Sequence, residues 1–480
     1  MAIDDSVRPE EPAAGSPDTA TAAPAPRSST WSALRPLVLR IHFYAGLLVS
    51  PLLFIAATTG LLYAVSLPAE KVLYSHELTA DAGSATIPLD TQVSTAREAH
   101  PEGTVTAVWP SPEEGASTRV LMQSPEVAEG KELTVFVDPY TGKVRGELET
   151  SGDALPLRGW LSGLHSNLQL GETGRLYSEM AASWMWVVAL GGLLLWIGRK
   201  RASRKALFVP ERSATGRRRT LSWHGSVGLW AVLGLLVLSA TGLTWSTYAG
   251  ANIDKIQTQL GGATPAVSAA LDGQESGGAH QGHGAGHGTT PQPATGPDVG
   301  LDKVVEAARA EGVEEQIQIT LPSEGQGYVV KERDREFPVH LDTVAVDPAD
   351  GRVMDKLAFE DYPLLAKLTR FGIDLHMGYT FGLVNQLALA GLAVALMFLV
   401  GWGYRMWWLR RPTKERKLTA GRPMPRGAWR KVPVTMLLPL AAVTALVGWF
   451  VPLLGISLLV FLVIDIVLGL VARRRAGAQA

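Results

Sequence analysis

Long apolar runs are the feature that most constrains the fold of this 480-residue chain. About 20 apolar residues span a bilayer as a helix, and four runs reach that length beside basic clusters. A further apolar stretch, residues 432–472, is long enough for two tightly connected helices. The runs predict six crossings, at residues 41–67, 176–197, 221–251, 377–404, 432–450 and 453–472. The chain is therefore expected to be an α-helical membrane protein.

Clusters of arginine and lysine set the expected orientation of these helices. Cytoplasmic loops carry an excess of basic residues, and two short loops, 198–220 and 405–431, are strongly basic. This pattern predicts a multi-pass protein of the cytoplasmic (inner) membrane with both termini in the cytoplasm. Residues 1–30, rich in Ala, Pro, Ser and Thr, are expected to form a disordered cytoplasmic tail.

The two long polar segments, residues 68–170 and 301–375, are predicted to be small α+β domains outside the cell membrane. Each contains short apolar runs typical of strands, and each ends in an Asp-Pro turn that closes with glycine, at Asp138 and Asp347. The predicted strands are residues 104–109, 119–123, 133–137, 316–321, 327–332 and 343–346.

The first and third apolar runs open with the same pattern. A histidine is followed four residues later by glycine, and a Thr-Gly pair begins at the seventeenth position after it. The two copies are His42, Gly46, Thr59 and Gly60, and His224, Gly228, Thr241 and Gly242. Residues i and i+4 share a helix face, so each first glycine leaves a notch that fits a flat macrocycle or another helix. The Thr-Gly pairs are interpreted as close helix packing.

Two more histidines, His165 and His376, occupy equivalent positions just before the second helix of each half. The pattern predicts an internal two-fold repeat of helix, outer domain and helix, with the last two helices outside it. The expected topology places His42 and His224 near the cytoplasmic face and the other two near the outer face. One pair at each face is the arrangement that two stacked bis-histidine haems need.

The chain has no cysteine, which excludes covalent c-type haem and Cys-ligated iron–sulfur clusters. Two imidazoles saturate haem iron, so such haems transfer electrons rather than bind oxygen. The alternative is that each histidine is an interfacial side chain whose polar tip meets water. Ionisable groups in membrane segments are nevertheless functional candidates by default.

Three further polar residues near the predicted cytoplasmic face have two interpretations each. Arg40 and Arg219 are candidates for pairing with haem propionates, although the positive-inside rule also accounts for them. Asp465, in the last apolar run, is predicted to face a neighbouring helix rather than carry protons.

A second histidine cluster lies in the Gly-, Ala- and Pro-rich linker of residues 252–300. His280, His283 and His287 are candidate ligands for copper or zinc, because imidazole suits both ions. The alternative is a flexible, solubilising linker.

The opening motif resembles a known family. Residues 40–46, Arg-Ile-His-Phe-Tyr-Ala-Gly, with the later Thr59-Gly60, resemble the PepSY-associated transmembrane proteins. The turns at residues 137–144 and 346–353 resemble the end of PepSY domains, and the resemblance covers residues 31–411. The family includes inner-membrane reductases of ferric siderophores that carry b-type haems between helices. The resemblance implies two bis-histidine b haems, with the ligands His42, His165, His224 and His376.

The expected function is that of a membrane dihaem b reductase. It would move electrons from the cytoplasmic side to an extracytoplasmic ferric siderophore or another metal complex. No nucleotide-binding fingerprint occurs and both basic loops are short, so a separate cytoplasmic or quinol electron donor is expected. The net charge of −1 gives no indication of nucleic-acid binding.

Two other functions remain open. One is a non-catalytic PepSY membrane protein that regulates a protease or a cell-envelope process. The other is copper or zinc handling through the His-rich loop.

Overall fold

Helices account for most of the described part of the chain. The computed structural model describes residues 30–199, 204–271, 296–314, 316–337, 339–410 and 426–477. In these ranges the α-helices, numbered α1 to α14, are Thr30–Leu48, Ser50–Leu73, Ser75–Leu78, Leu89–Ala99, Pro156–Asn167, Gly171–Ile197, Lys205–Phe208, Gly216–Thr244, Tyr248–Gln259, Leu301–Ala310, Leu364–Met377, Gly382–Trp408, Val434–Phe450 and Pro452–Gly477.

Five helices are long and apolar enough to cross a membrane. They are α2, α6, α8, α12 and the Pro452–Ala472 part of α14. The helix α13 is also apolar but has 17 residues, which corresponds to a length of about 26 Å. The helical membrane architecture is confirmed, whereas a sixth full crossing stays a prediction.

The first predicted crossing, residues 41–67, is interrupted rather than continuous. The helix α1 ends at Leu48 and α2 begins at Ser50, with a turn at Val49. The next residue, Pro51, has no N–H to donate, and proline kinks a helix in this way. Backbone hydrogen bonds continue on both sides, from Val49 to Ala45 (2.8 Å) and from Leu53 to Val49 (3.0 Å). The two helices therefore form one kinked rod.

The third predicted crossing, residues 221–251, also ends earlier than expected. The helix α8 stops at Thr244, and α9 starts anew at Tyr248. The buried carboxylate of Glu179, on α6, accepts hydrogen bonds from the backbone N–H groups of Tyr248 (3.0 Å) and Ala249 (2.9 Å). A negative charge at a helix N-terminus is stabilising, so a neighbouring helix fixes this break.

The strands of both polar segments join in one eight-stranded sheet. Its order is β4-β3-β2-β1-β5-β6-β7-β8, and neighbouring strands are antiparallel. The junction is the pair β1–β5, where Ala107 lies opposite Thr320 and Val108 opposite Ile319. The strands β1 to β8 are Thr104–Trp109, Thr118–Gln123, Glu132–Val137, Val144–Thr150, Ile317–Thr320, Tyr328–Glu332, Thr343–Val346 and Val353–Leu357.

One face of the sheet packs against α4 and α10 to form the main apolar core of this domain. The two helices cap each other. The carboxylate of Asp302, on α10, accepts the N–H of Leu89 at the start of α4 (3.0 Å), and Asp90, on α4, accepts the N–H of Leu301 at the start of α10 (3.1 Å). The two polar segments are thus held together by strand pairing, a shared core and reciprocal capping.

The apolar helices pack beneath the sheet domain. The helix α2 packs on α12 and α5, α6 packs on α8 and α1, and α8 packs on α12. The helices α5 and α11 follow the last strand of each segment and connect the sheet to the apolar helices α6 and α12.

Candidate functional site

The first predicted pair of histidines lies in contact between two helices. His42 is on α1 and His224 on α8, and their ring centroids are 6.4 Å apart with an angle of 74° between the ring planes. Neither side chain is exposed. Each Nδ1 faces a backbone carbonyl oxygen, that of Val188 for His42 (2.9 Å) and that of Leu399 for His224 (3.0 Å).

These carbonyl contacts fix the protonation of the two rings. A carbonyl oxygen only accepts, so Nδ1 must carry the proton and donate it. The lone pair of the neutral ring then lies on Nε2, which is the form that binds a metal. Metal-ligating histidines usually have their other ring nitrogen engaged in this way.

Glycines on α6 make room for the ring of His42. A Cβ atom at Gly192 would lie 3.0 Å from its Cε1, and one at Gly191 would lie 3.5 Å from its Cβ. The first glycine of the opening motif, Gly46, has no atom within 4 Å of the position that its Cβ would take. Its notch is therefore open, and no helix from the described residues fills it.

The second pair lies at the sheet end of the helices. His165 is on α5 and His376 on α11, and their ring centroids are also 6.4 Å apart, with an angle of 57°. The Nδ1 atom of His165 is 2.9 Å from the hydroxyl oxygen of Thr59, and that of His376 is 2.7 Å from the hydroxyl oxygen of Thr241.

The two threonines orient this pair. Each hydroxyl has one proton and places it on carbonyls one turn back along its own helix: Ile55 and Ala56 for Thr59, and Val237 and Leu238 for Thr241. The hydroxyl oxygen must then accept the Nδ1 proton, since one hydroxyl donates only once. The lone pair of each ring is again on Nε2 and is free to bind a metal.

The glycines of the two Thr-Gly pairs lie against the same rings. A Cβ atom at Gly60 would be 3.2 Å from Cε1 of His165, and one at Gly242 would be 3.6 Å from Cε1 of His376. The interpretation of these pairs as packing between helices was therefore incomplete. Each Thr-Gly pair holds an imidazole, and the shared position of the pairs in the repeat was the signal that could have indicated it.

Each pair joins one histidine from residues 30–199 to one from residues 204–410, and the Nδ1 partner of each ring comes from the same segment as the ring. The rings of His224 and His376 are both held near α8, the second through Thr241. The 17 residues from His224 to Thr241 correspond to about 25 Å along the helix. The two pairs therefore lie at opposite ends of the membrane-spanning helices.

The geometry of the pairs fits a metal between the rings. A transition metal binds an imidazole nitrogen at about 2 Å, so two rings on opposite sides of one metal atom have centroids about 6 Å apart. No hydrogen bond within the described ranges involves Nε2 of any of the four histidines. The open notch at Gly46 gives a planar group access beside His42. The residues present thus fit haem, and its ligation at these sites stays a prediction.

Arg40 forms an ion pair within the protein, whereas the sequence offered a haem propionate as one candidate partner. Its guanidinium pairs with Asp465 on α14 and lies over the ring of Tyr44 at 4.9 Å. Asp465 also accepts a hydrogen bond from Arg426 (3.2 Å). Asp465 therefore faces a neighbouring helix, as the sequence predicts, and helps to attach the last helix to α1.

The other predicted metal ligands cannot be placed. His280, His283 and His287 lie outside the described residues. A different cluster occurs among the described residues, where His100, Glu102 and Glu126 come close together on the sheet domain. No pattern in the sequence indicates this cluster, and its two carboxylates are exposed.

A known family model matches most of the chain. The model of the PepSY-associated TM region matches residues 39–410. The chain belongs to this family. The PepSY-associated region contains all four paired histidines and the entire sheet, while α13 and α14 lie beyond it. The resemblance found in the sequence is confirmed, and the family, together with the apolar helices, makes this a multi-pass membrane protein. No curated protein matches the chain.

Proposed function

We propose that the protein is a membrane dihaem b reductase that passes electrons from the cytoplasmic side to an extracytoplasmic ferric siderophore complex. The observation that carries the proposal is the pairing of four imidazoles at two levels. In both pairs Nδ1 is held by an acceptor and Nε2 has no hydrogen bond within the described ranges. One pair of buried rings could meet by chance. Two pairs in which every Nδ1 is held by an acceptor favour the same function for both pairs.

The positions of the pairs support the direction of transfer. His42 and His224 lie beside basic segments, which cytoplasmic ends carry. His165 and His376 lie on α5 and α11, which lead directly from the sheet domain. We place the sheet domain and its two PepSY-like halves outside and both termini inside. The internal two-fold repeat then explains why each half contributes one ligand at each level.

The chemistry follows from the ligand set. Haem b at each pair would supply one-electron transfer between its ferric and ferrous states. Two imidazoles leave no coordination position for oxygen, so the residues favour electron transfer over oxygen binding. Reduction of one ferric chelate consumes one electron, and a quinol or reduced flavin supplies two. Each donor molecule therefore reduces two ferric ions and releases its protons on its own side.

The experiment uses the protein in sealed vesicles with a quinol or reduced flavin on the side of the basic loops. We expect b-type absorption bands that are reduced by the donor and reoxidised when a ferric chelate is added on the opposite side. His376→Ala should abolish the reoxidation. His76→Ala is the matched control, because His76 is exposed on α3 and remote from the pairs.

Two results would contradict the proposal. One is a folded, colourless protein, which would favour a non-catalytic PepSY protein that regulates a protease or an envelope process. The other is reoxidation that is unchanged in His376→Ala. Loss of metal tolerance after deletion of residues 280–287 alone would instead favour copper or zinc handling.

A further inference from the structure

A polar cavity of about 350 Å³ lies between the open face of the sheet and the ends of the helices that carry the outer histidines. Strands β1, β2, β3, β5 and β6 supply its floor, and α11 supplies part of its wall. Its lining includes Trp109, Lys331, Arg333, Arg335, Arg370 and Asp153. The volume is within the usual range of small-molecule sites, about 300–1,000 Å³.

Most charges in this cavity already have a partner. Asp153 accepts from Arg335 at 2.9 Å and lies near Arg158 and Arg333. Burial alone would raise the pKa of Asp153, but these guanidinium groups outweigh it and lower that pKa to about 2. Arg370 pairs with Asp374 at 2.7 Å.

Lys331 is the exception. Its ammonium group has neither an ion pair nor a hydrogen bond within the described ranges. Burial, together with the positive charges of Arg370, Arg335 and Arg333, lowers the pKa of Lys331 to about 8, and the negative charge of Asp374 opposes this shift. An ammonium group without a partner among three guanidinium groups is costly, and an anion in the cavity would remove that cost.

A second donor, in the wall of the cavity, has no partner in the described part of the chain. The indole Nε1 of Trp109 is buried and makes no hydrogen bond with any described residue, and Trp109 is only 7% exposed. Buried tryptophan N–H groups usually find an acceptor. The guanidinium of Arg333 stacks on the Trp109 ring at 3.3 Å from its centroid, and that of Arg119 lies 5.3 Å away. The indole is thus held rigidly while its N–H lacks an acceptor.

The carboxylates of the lining do not supply that acceptor. Glu332 accepts the backbone N–H groups of Glu314 (3.2 Å) and Asp342 (2.9 Å), and Glu132 accepts the hydroxyl of Thr106 (2.9 Å). The lining carries four cationic side chains, Lys331, Arg333, Arg335 and Arg370, against three carboxylates, Glu132, Asp153 and Glu332, so an anion would balance the excess positive charge.

Arg370 in the cavity lining and Arg158 beside the lining residue Asp153 lie on the two helices that carry the outer histidine pair. Arg370 precedes His376 by six residues on α11, which is about 9 Å along the helix. Arg158 precedes His165 by seven residues on α5, about 10 Å. A ligand in the cavity would therefore sit one to two helical turns from the outer pair.

We propose that this cavity binds a compact polycarboxylate anion, and that the substrate reduced at the outer pair is an anionic ferric carboxylate chelate. The second half of this statement rests on the proposed function; the first half does not. Guanidinium groups match carboxylates in a bidentate geometry, and Lys331 adds an unpaired charge. A cavity of this size takes a citrate-sized ligand and excludes a large macrocyclic chelate.

Calorimetric titration of the full-length protein in detergent with citrate, and separately with ferric citrate, tests the proposal. We expect Lys331→Gln to weaken citrate binding at least tenfold. Trp109→Phe keeps the ring but removes the N–H, and should weaken binding several-fold. Lys303→Gln, an exposed lysine on α10 behind the sheet, is the matched control and should bind as the parent does.

The outcomes separate this inference from the proposed function when haem content is measured on the same samples. Citrate binding that depends on Lys331 in a haem-free protein would keep the anion site and remove the reductase. Haem and ferric reduction with unchanged citrate binding in Lys331→Gln would overturn the anion site and keep the reductase. Inorganic phosphate that binds as tightly as citrate would contradict selectivity for carboxylates, as would an equal preference for a ferric trihydroxamate without negative charge.

Discussion

The tautomer of each paired imidazole is decided by a single acceptor. In the outer pair this acceptor is a threonine hydroxyl whose own proton is already committed to its helix, at 2.9 Å from Thr59 to Ile55 and at 2.9 Å from Thr241 to Val237. In the inner pair it is a backbone carbonyl. At the outer pair, a substitution of Thr59 or Thr241 therefore removes the acceptor of an Nδ1 proton and leaves both histidines in place.

Thr59→Val is expected to loosen the outer haem alone. It removes the acceptor of His165 at nearly constant volume, and loss of such support costs about 10–100-fold in metal affinity. Transfer of haem to apomyoglobin should therefore become faster for one of the two haems. Thr58→Val is the neighbouring control, because the Thr58 hydroxyl bonds the carbonyl of Phe54 and not a histidine. Equal transfer rates in the two variants would show that Thr59 does not support a ligand.

Anion binding is expected to weaken as the pH rises through about 8, because Lys331 carries its charge below that pKa and loses it above. A bound anion favours the charged ammonium, so the midpoint should lie at or above this value. Citrate affinity should fall roughly tenfold between about pH 7 and pH 9. The charged groups around Lys331 are Arg333, Arg335 and Glu332 near its own strand, Arg370 and Asp374 on α11, and Glu132 and Asp153 in the cavity lining.

The variant Lys331→Gln provides the check on this pH dependence. It should flatten the fall in affinity near pH 8, because the guanidinium groups of the cavity stay charged in this range. A profile identical to that of the parent would assign the dependence to another group.

At the scale of the helices, close approach to glycine positions the inner pair. The ring of His42 approaches α6 most closely at Gly192, where a Cβ atom would lie 3.0 Å from its Cε1. We expect Gly192→Val to displace this ring and remove the inner haem, while the outer haem stays bound. Gly401→Val is the control, since Gly401 is an exposed glycine of α12 with no atom within 4 Å of its Cβ position. Retention of both haems in Gly192→Val would mean that His42 is not a ligand.

The elements themselves were largely predictable from local patterns. The strands at residues 104–109 and 343–346 have the predicted bounds, and the other four differ by at most one residue at each end. The strands β4 and β8 were missed, because each is an edge strand with mostly half-buried side chains and no apolar alternation. The break after Thr244 was missed because the carboxylate that stabilises it belongs to a different helix.

At the scale of the whole molecule, the sequence indicated the paired histidines but not the groups that support them. Their positions before corresponding helices identified His42, His165, His224 and His376, and the structure brings them together in the expected combinations. The Nδ1 acceptors could not be predicted, since Val188 and Leu399 act through backbone atoms from other helices. The polar cavity could not be predicted either, because it forms only when the two polar segments share one sheet.

Both pairs combine a histidine from residues 30–199 with one from residues 204–410. Neither of these two segments alone contains a complete pair, so either segment produced separately should bind no haem with two histidine ligands. Substitution of either histidine of a pair should remove the haem of that pair and leave the haem of the other pair bound.

Haem quantitation on the purified full-length protein tests the central claim most directly. The account predicts two b haems per chain in the parent, one in His224→Ala, one in His376→Ala and none when both are changed. His340→Ala, which removes an exposed histidine of the sheet domain, should retain two. A folded parent protein without haem, or a haem content that is the same in all of these variants, would contradict it.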